Sequence, residues 1–429
     1  MATLALFALY RIGVVQSPAP KPGLIWRTGY PQSVDEALDR LRKMGEQSEA
    51  YGARSTNDWF SYQAAAGAWV GVARLTGDPA DFARADAALA KAFRAAIAGS
   101  GPHDTLATYE FAVHRLDHAA KALDAIDRYS VAEADTARAE HLAMRGDIAF
   151  FQGKTEEAEH LNAQAVGMAF SPETVCRSAQ IAWRTGDPDA AENRLDRCEA
   201  SVPMRTPQFA AYIAVQRALI RLNRGDWPGA TAQFKEAEHI FPGDWKTQLR
   251  LAMMRAADGN PAQAAKTMEA LARPDTRPEV DDSLANLYRL TGDGARAREW
   301  AAKAGAKWQR YATLFPEAFA GHARDHELVF GDPKRALHYA AIDARNRPFG
   351  EPLVALARVW SANGRPDYAL ALIAKADRTG WKAPEAERAR AEALALAGKT
   401  SESEDARKAA LAMDPRAYDP ARSFIWFDH

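Results

Sequence analysis

Gly225-Asp226-Trp227-Pro228-Gly229-Ala230, followed by Phe234, Ala237 and Pro242, sets the frame of this 429-residue chain. Counted from Gly225, an alanine stands at +5, an apolar residue at +9, a small one at +12 and a proline at +17. The frame returns as Gly186, Ala191, Leu195, Cys198 and Pro203, and again as Gly364, Ala369, Ile373 and Ala376. Shorter copies begin at Gly153, Gly292, Gly331 and Gly398. With Gly259 of the 245–276 unit between Gly225 and Gly292, successive glycines lie 33 to 39 residues apart, the spacing of a two-helix repeat.

Each offset has a physical task. The glycine ends one helix in the left-handed region, where a Cβ would be costly. Asp, Asn, Lys or Pro follow and suit a tight turn into a second helix. The alanine at +5 lets two antiparallel helices approach closely, and +9 and +12 continue the buried face at helical spacing. A proline at +17 stops the second helix. Seven residues before each glycine the frame asks for another small residue, supplied by Gly146, Ala179, Ala218, Ala252, Ala285, Ala357 and Ala391. Arg324 breaks this rule, which predicts a shifted helix there.

These residues resemble the tetratricopeptide repeat family. Units fit at 139–170, 172–204, 211–242, 245–276, 278–310, 317–348, 350–383 and 384–415, with looser ones at 60–98 and 100–131. The resemblance implies an all-α, right-handed superhelical solenoid of about ten antiparallel helix pairs. It further implies that first helices line a concave side through their second, fifth, ninth and twelfth positions. In the middle units these include Phe150, Trp183, Tyr212, Leu219, Leu222 and Met253; toward the C-terminus they include Asn286, Arg289, Arg358, Glu385 and Arg388. The first six form an expected ligand groove for a peptide; a register error of one residue would place several of them in the core instead. The family's clamp for acidic C-termini pairs Lys at position five with Asn at position nine. Asn286 is matched by Asp282, so that clamp is not formed.

Hydrophobic residues are 47% and charged residues 26%, with a net charge of −1, which describes a folded chain without a basic stripe and excludes nucleic acid as an expected partner. Residues 1–22 hold an apolar segment (2–15, interrupted by Arg11) and a proline-rich linker. Three readings stand for that segment: an export signal or membrane tether, a capping helix, or a mis-set start. Ser33-Val34-Asp35-Glu36 is a capping box opening a helix to about Ala50 within an N-terminal extension at 23–59. The repeats then occupy 60–416, and residues 417–429, ending in Ser423-Phe424-Ile425-Trp426-Phe427-Asp428-His429, read as an apolar cap or a docking segment.

Cys176 and Cys198 fall at neighbouring levels of one hairpin, so they form either a disulfide, which would suit an oxidising compartment, or two buried thiols. Gly398-Lys399-Thr400 and Gly153-Lys154-Thr155 are helix punctuation, since neither has the upstream glycine of a phosphate loop. His322 and His326 are spaced to share a metal, but no third ligand is fixed. The expected function is a non-enzymatic scaffold that binds a protein or peptide and needs no cofactor. The alternatives are a subunit of a bacterial cell-envelope assembly, periplasmic or membrane-associated, and a metal-dependent enzyme using His322 and His326.

Overall fold

The computed structural model describes residues 24–55, 57–129, 133–202 and 204–426. Among them, twenty-one α-helices and one short parallel strand pair account for the regular structure. A lone helix, Val34–Gly52, precedes ten hairpins. Hairpins 1 to 3 are Trp59–Thr76 with Pro79–Ala95, His103–Ala112 with Leu116–Ile126, and Asp135–Phe151 with Thr155–Met168. Hairpins 4 to 6 are Pro172–Arg184 with Pro188–Ala200, Pro207–Asn223 with Trp227–Ile240, and Trp245–Ala257 with Pro261–Leu271. Hairpins 7 and 8 are Pro278–Leu290 with Gly294–Leu314, and Pro316–Phe330 with Pro333–Asn346. Hairpins 9 and 10 are Gly350–Ala362 with Pro366–Arg378, and Pro384–Leu396 with Thr400–Met413, followed by a 3-10 turn at Pro420–Phe424. The expected apolar segment at 2–15 lies outside the described residues, as do Phe427, Asp428 and His429. No helix among the described residues is long and apolar enough to cross a membrane.

The frame residues meet inside each hairpin. Ala191, Ala230, Ala336 and Ala369 at +5 are fully buried, and Leu195, Phe234 and Ile373 at +9 pack beside them. At the fifth hairpin's turn, Gly225 takes φ +74, and Asp226 caps the next helix by accepting from the Gly229 amide at 3.0 Å. Hairpin 2 lacks a turn glycine and instead holds His114 at φ +60. Gly331 departs from the frame: its φ is −120, and Asp332 begins the next helix without a left-handed residue.

Arg324 explains the broken small-residue rule in hairpin 8. Its guanidinium is buried and bonds Asp343 of the facing helix at 3.0 Å and Asp325 at 2.8 Å. Close approach moves one turn back, to Gly321, where a Cβ would lie 2.8 Å from the Asp343 carboxylate. A hydrogen-bonded ion pair therefore fills the place of a small-residue contact.

The helix Val34–Gly52 starts at its capping serine, with the Ser33 hydroxyl accepting from the Glu36 amide at 3.2 Å. Glu36 in turn accepts from the Gln32 amide at 2.9 Å. This extension is tied to the middle of the chain. Leu24–Ile25 pairs in parallel with Met204–Arg205, and the Val34 amide donates to the Pro242 carbonyl at 3.0 Å.

Successive turns of the solenoid touch. Turns of the first five hairpins seat on segments that join or follow later ones. Phe82 of hairpin 1 meets Phe315 edge-on at 6.0 Å, and Arg115 of hairpin 2 pairs with Glu317 at 3.6 Å. The Thr155 hydroxyl in hairpin 3 donates to the Thr379 carbonyl. The Arg184 carbonyl in hairpin 4 accepts from the Lys382 amide at 3.1 Å, and Trp227 in hairpin 5 carries the Arg416 guanidinium at 4.4 Å.

Candidate functional site: two cavities on the concave face

Two cavities open along the first helices. The smaller, about 410 Å³, lies across hairpins 2 to 5 and is walled by Phe111, Phe150, Phe151, Phe209 and Tyr212. Its polar rim is Asp147, which accepts from Arg177, together with Gln180, which donates to Gln216. Cys176 belongs to the same wall and is joined to Cys198 in a disulfide, with Cα atoms 4.9 Å apart. The crosslink ties the two helices of hairpin 4 beneath the pocket floor.

The larger cavity, about 790 Å³, lies among the first helices of hairpins 7 to 10, the turns of hairpins 4 and 5, and residues 417–426. Trp183, Trp381 and Trp426 supply indole surface. Arg184 borders both cavities and pairs with Glu351 at 2.8 Å.

The charge lining the larger cavity is unbalanced: seven arginines and one lysine face four carboxylates. Each carboxylate is engaged. Asp325 holds Arg324, Glu351 holds Arg184, and Glu385 holds Arg422 at 2.5 Å. Asp419 caps the Ala421 amide at 2.9 Å and pairs with Arg416 at 3.6 Å. Arg224 turns outward to Asp189 at 2.9 Å. Among the described residues, Arg289, Arg358, Lys382 and Arg388 are left without a carboxylate in salt-bridge range. Arg289 bonds the Asn286 amide oxygen at 2.7 Å, and Arg388 lies 5.8 Å from the Tyr418 ring. Among the described residues the buried Arg388 Nε has no acceptor. Burial and the nearby charges of Arg422 and Arg358 hold the Arg388 guanidinium below its ordinary pKa, against the opposing influence of Glu385 and Glu392.

The six expected groove residues divide three ways. Phe150 and Tyr212 line the aromatic pocket, Phe150 buried and Tyr212 40% exposed, while Trp183 lines the cationic cavity. Leu219, Leu222 and Met253 are buried, where the C-terminal segment covers the concave side. Ala421 and Ile425 pack against the cluster holding Leu219 and Leu222. The Met253 sulfur accepts from the Trp426 amide at 3.2 Å, and the Asn286 side chain donates to the Ser423 carbonyl at 2.7 Å. Residues 420–426 thus lie in the groove of hairpins 5 to 7 as a peptide would. Sequence spacing named the groove positions, but it carried no signal for what covers some of them or for which arginines remain unpaired.

His322 and His326 are part of a packed core. His326 Nδ1 lies 2.7 Å from Asp282, whose other oxygen accepts from the Trp308 indole at 2.6 Å, and His322 stacks on Trp308 at 5.2 Å. Among the described residues no group of three or more His, Cys, Asp or Glu side chains is placed to hold a metal.

Ten antiparallel helix pairs, most of them built on the glycine–alanine frame, give the chain a tetratricopeptide-like helical fold. No family model and no curated protein matches the chain. Solved structures do. The C-terminal part of a TPR repeat-containing protein from Cytophaga hutchinsonii is 17% identical, over 66% of this chain and 98% of that one, with a TM-score of 0.32. A tetratricopeptide repeat protein from Parabacteroides merdae is 14% identical, over 59% of this chain and 96% of that one, with a TM-score of 0.34.

Proposed function

We propose that this protein is a binding scaffold that holds a segment of a partner protein on its concave face, with the aromatic pocket of hairpins 2 to 5 as the anchor site. The observation that carries this reading is the pocket itself. Its volume of about 410 Å³ is walled by five aromatic rings and carries a few polar groups at the rim. Pockets that bury an aromatic or aliphatic anchor have this composition, and such anchors carry most of the energy of an interface. The occupied groove beside it supports the same reading, since residues 420–426 already engage the concave helices through both backbone and side chains. The disulfide supports placement in an oxidising compartment.

The test is capture of a partner from the native compartment by the intact chain and by Tyr212→Ala. Tyr212 is exposed enough that its truncation leaves the fold intact. A partner held by the wild type and lost by the variant supports the pocket; a partner held equally by both moves the function to the outer faces.

A further inference from the structure

We propose that the 790 Å³ cavity of hairpins 7 to 10 binds a ligand bearing two or more anionic groups, carboxylate or phosphate, between Arg358 and Arg388, with Arg289 and Lys382 at its rim. The chain as a whole carries a net charge of −1, so an excess of four cations over carboxylates along one concave wall is a local arrangement, not a general basicity. The lining carboxylates already have partners, and these four cations are what remains.

Arg388 gives the sharpest sign. A guanidinium nitrogen buried without an acceptor is costly, and two further arginines nearby raise that cost more than Glu385 and Glu392 relieve it. An anion seated there would supply the missing acceptor and offset the repulsion among Arg358, Arg388 and Arg422. Arginine suits this role because its planar fork meets carboxylate and phosphate oxygens in pairs. A concave, low-dielectric wall focuses the field on such a ligand. The volume suits a small polyanion or a short acidic stretch of peptide. The site stands on its own arginines whether the anion is free or borne by a peptide, so it goes beyond the anchor pocket proposed above.

Calorimetric titration of the full chain with citrate, pyrophosphate and a tri-glutamate peptide tests this. One-to-one binding is expected for at least one probe, weakened about tenfold by Arg358→Gln and about tenfold more when Arg388→Gln is added. Arg358 is exposed, so its substitution leaves the fold intact, and Arg358→Lys should restore part of the affinity. Tight binding of tri-glutamate alone assigns the anion to a peptide, and equal or tighter binding of citrate or pyrophosphate assigns it to a free ligand. Tyr212→Ala should leave all of these affinities unchanged, which separates this site from the aromatic pocket. Absence of binding by all three probes, or equal affinity in the wild type and the double arginine variant, overturns the proposal.

Discussion

The Trp245 indole donates to the main-chain oxygen of Leu75 at 3.0 Å, across 170 residues of sequence. Trp245 opens hairpin 6 and Leu75 lies in the last turn of the first helix of hairpin 1, so this one bond joins successive turns of the solenoid. The ring is almost fully buried, and a Cβ on Gly77 would meet it at 3.0 Å. A solenoid whose repeats contacted only their sequence neighbours would unfold by increments. Contacts of this kind couple distant repeats and make the early and late hairpins one cooperative unit.

Replacing Trp245 by Phe removes the bond and keeps most of the ring, at an expected cost of about 1 kcal/mol. Trp245→Ala also leaves a cavity and should cost about 3–5 kcal/mol. Urea denaturation measures both. Hydrogen exchange should show the alanine variant losing protection at the turns of hairpins 1 and 2 as well as in hairpin 6. Loss confined to hairpin 6 would mean that the turns are not coupled.

The Cys176–Cys198 crosslink closes a loop spanning 22 residues, for which chain entropy gives a contribution of about 3 kcal/mol. A reducing agent should lower the melting temperature of the wild type and leave that of Cys176→Ala/Cys198→Ala unchanged. Partner capture should fall with reduction as well, because Cys176 lies in the aromatic pocket wall.

The C-terminal segment is held by side chains from hairpins 5 to 8 and 10. Trp426→Ala with Asn286→Ala removes the hydrogen bond to the Ser423 carbonyl and the indole that packs near Phe330 at 5.4 Å. Arg422, now buried and paired with Asp414 and Glu385, should then become a site of rapid tryptic cleavage. Cleavage as slow as in the wild type would show that the remaining contacts suffice to hold it.

His114 gives the expected pH dependence. Burial, then the neighbouring Arg347, pushes its folded pKa down to about 3 from an ordinary 6.5. A depressed pKa means that the unfolded chain takes up the proton first. The stability that depends on the neutral ring is therefore complete above pH 6.5 and is lost progressively as pH falls toward 3. His114→Gln cannot titrate, so in urea melts the wild type should lose ground to this variant between pH 7 and pH 4. A difference that stays constant with pH would contradict the assignment.

Much of the fold was legible in the chain because a repeat states its rule many times. The small residue at +5, the buried residue at +9 and the turn glycine are local requirements of two close helices, and Ala191, Ala230 and Ala369 meet them without help from distant sequence. Part of the candidate site followed, since Phe150, Trp183 and Tyr212 lie on the cavity walls where their helical positions place them. Arg324 and Gly331 were frame positions whose reading needed structure; for Arg324 the partner Asp343 is on the other helix and the bond is set by side-chain reach.

The sequence by itself determined the repeat, its helix pairs and which helix faces look inward, all consequences of interactions within about forty residues. Only the tertiary structure decided that the turns of the solenoid touch, that residues 420–426 cover Met253, and that Arg358 and Arg388 lack a carboxylate in salt-bridge range among the described residues. Those outcomes depend on groups separated by as many as 170 residues or more, whose meeting is fixed by accumulated curvature over many hairpins. No local pattern encodes that sum.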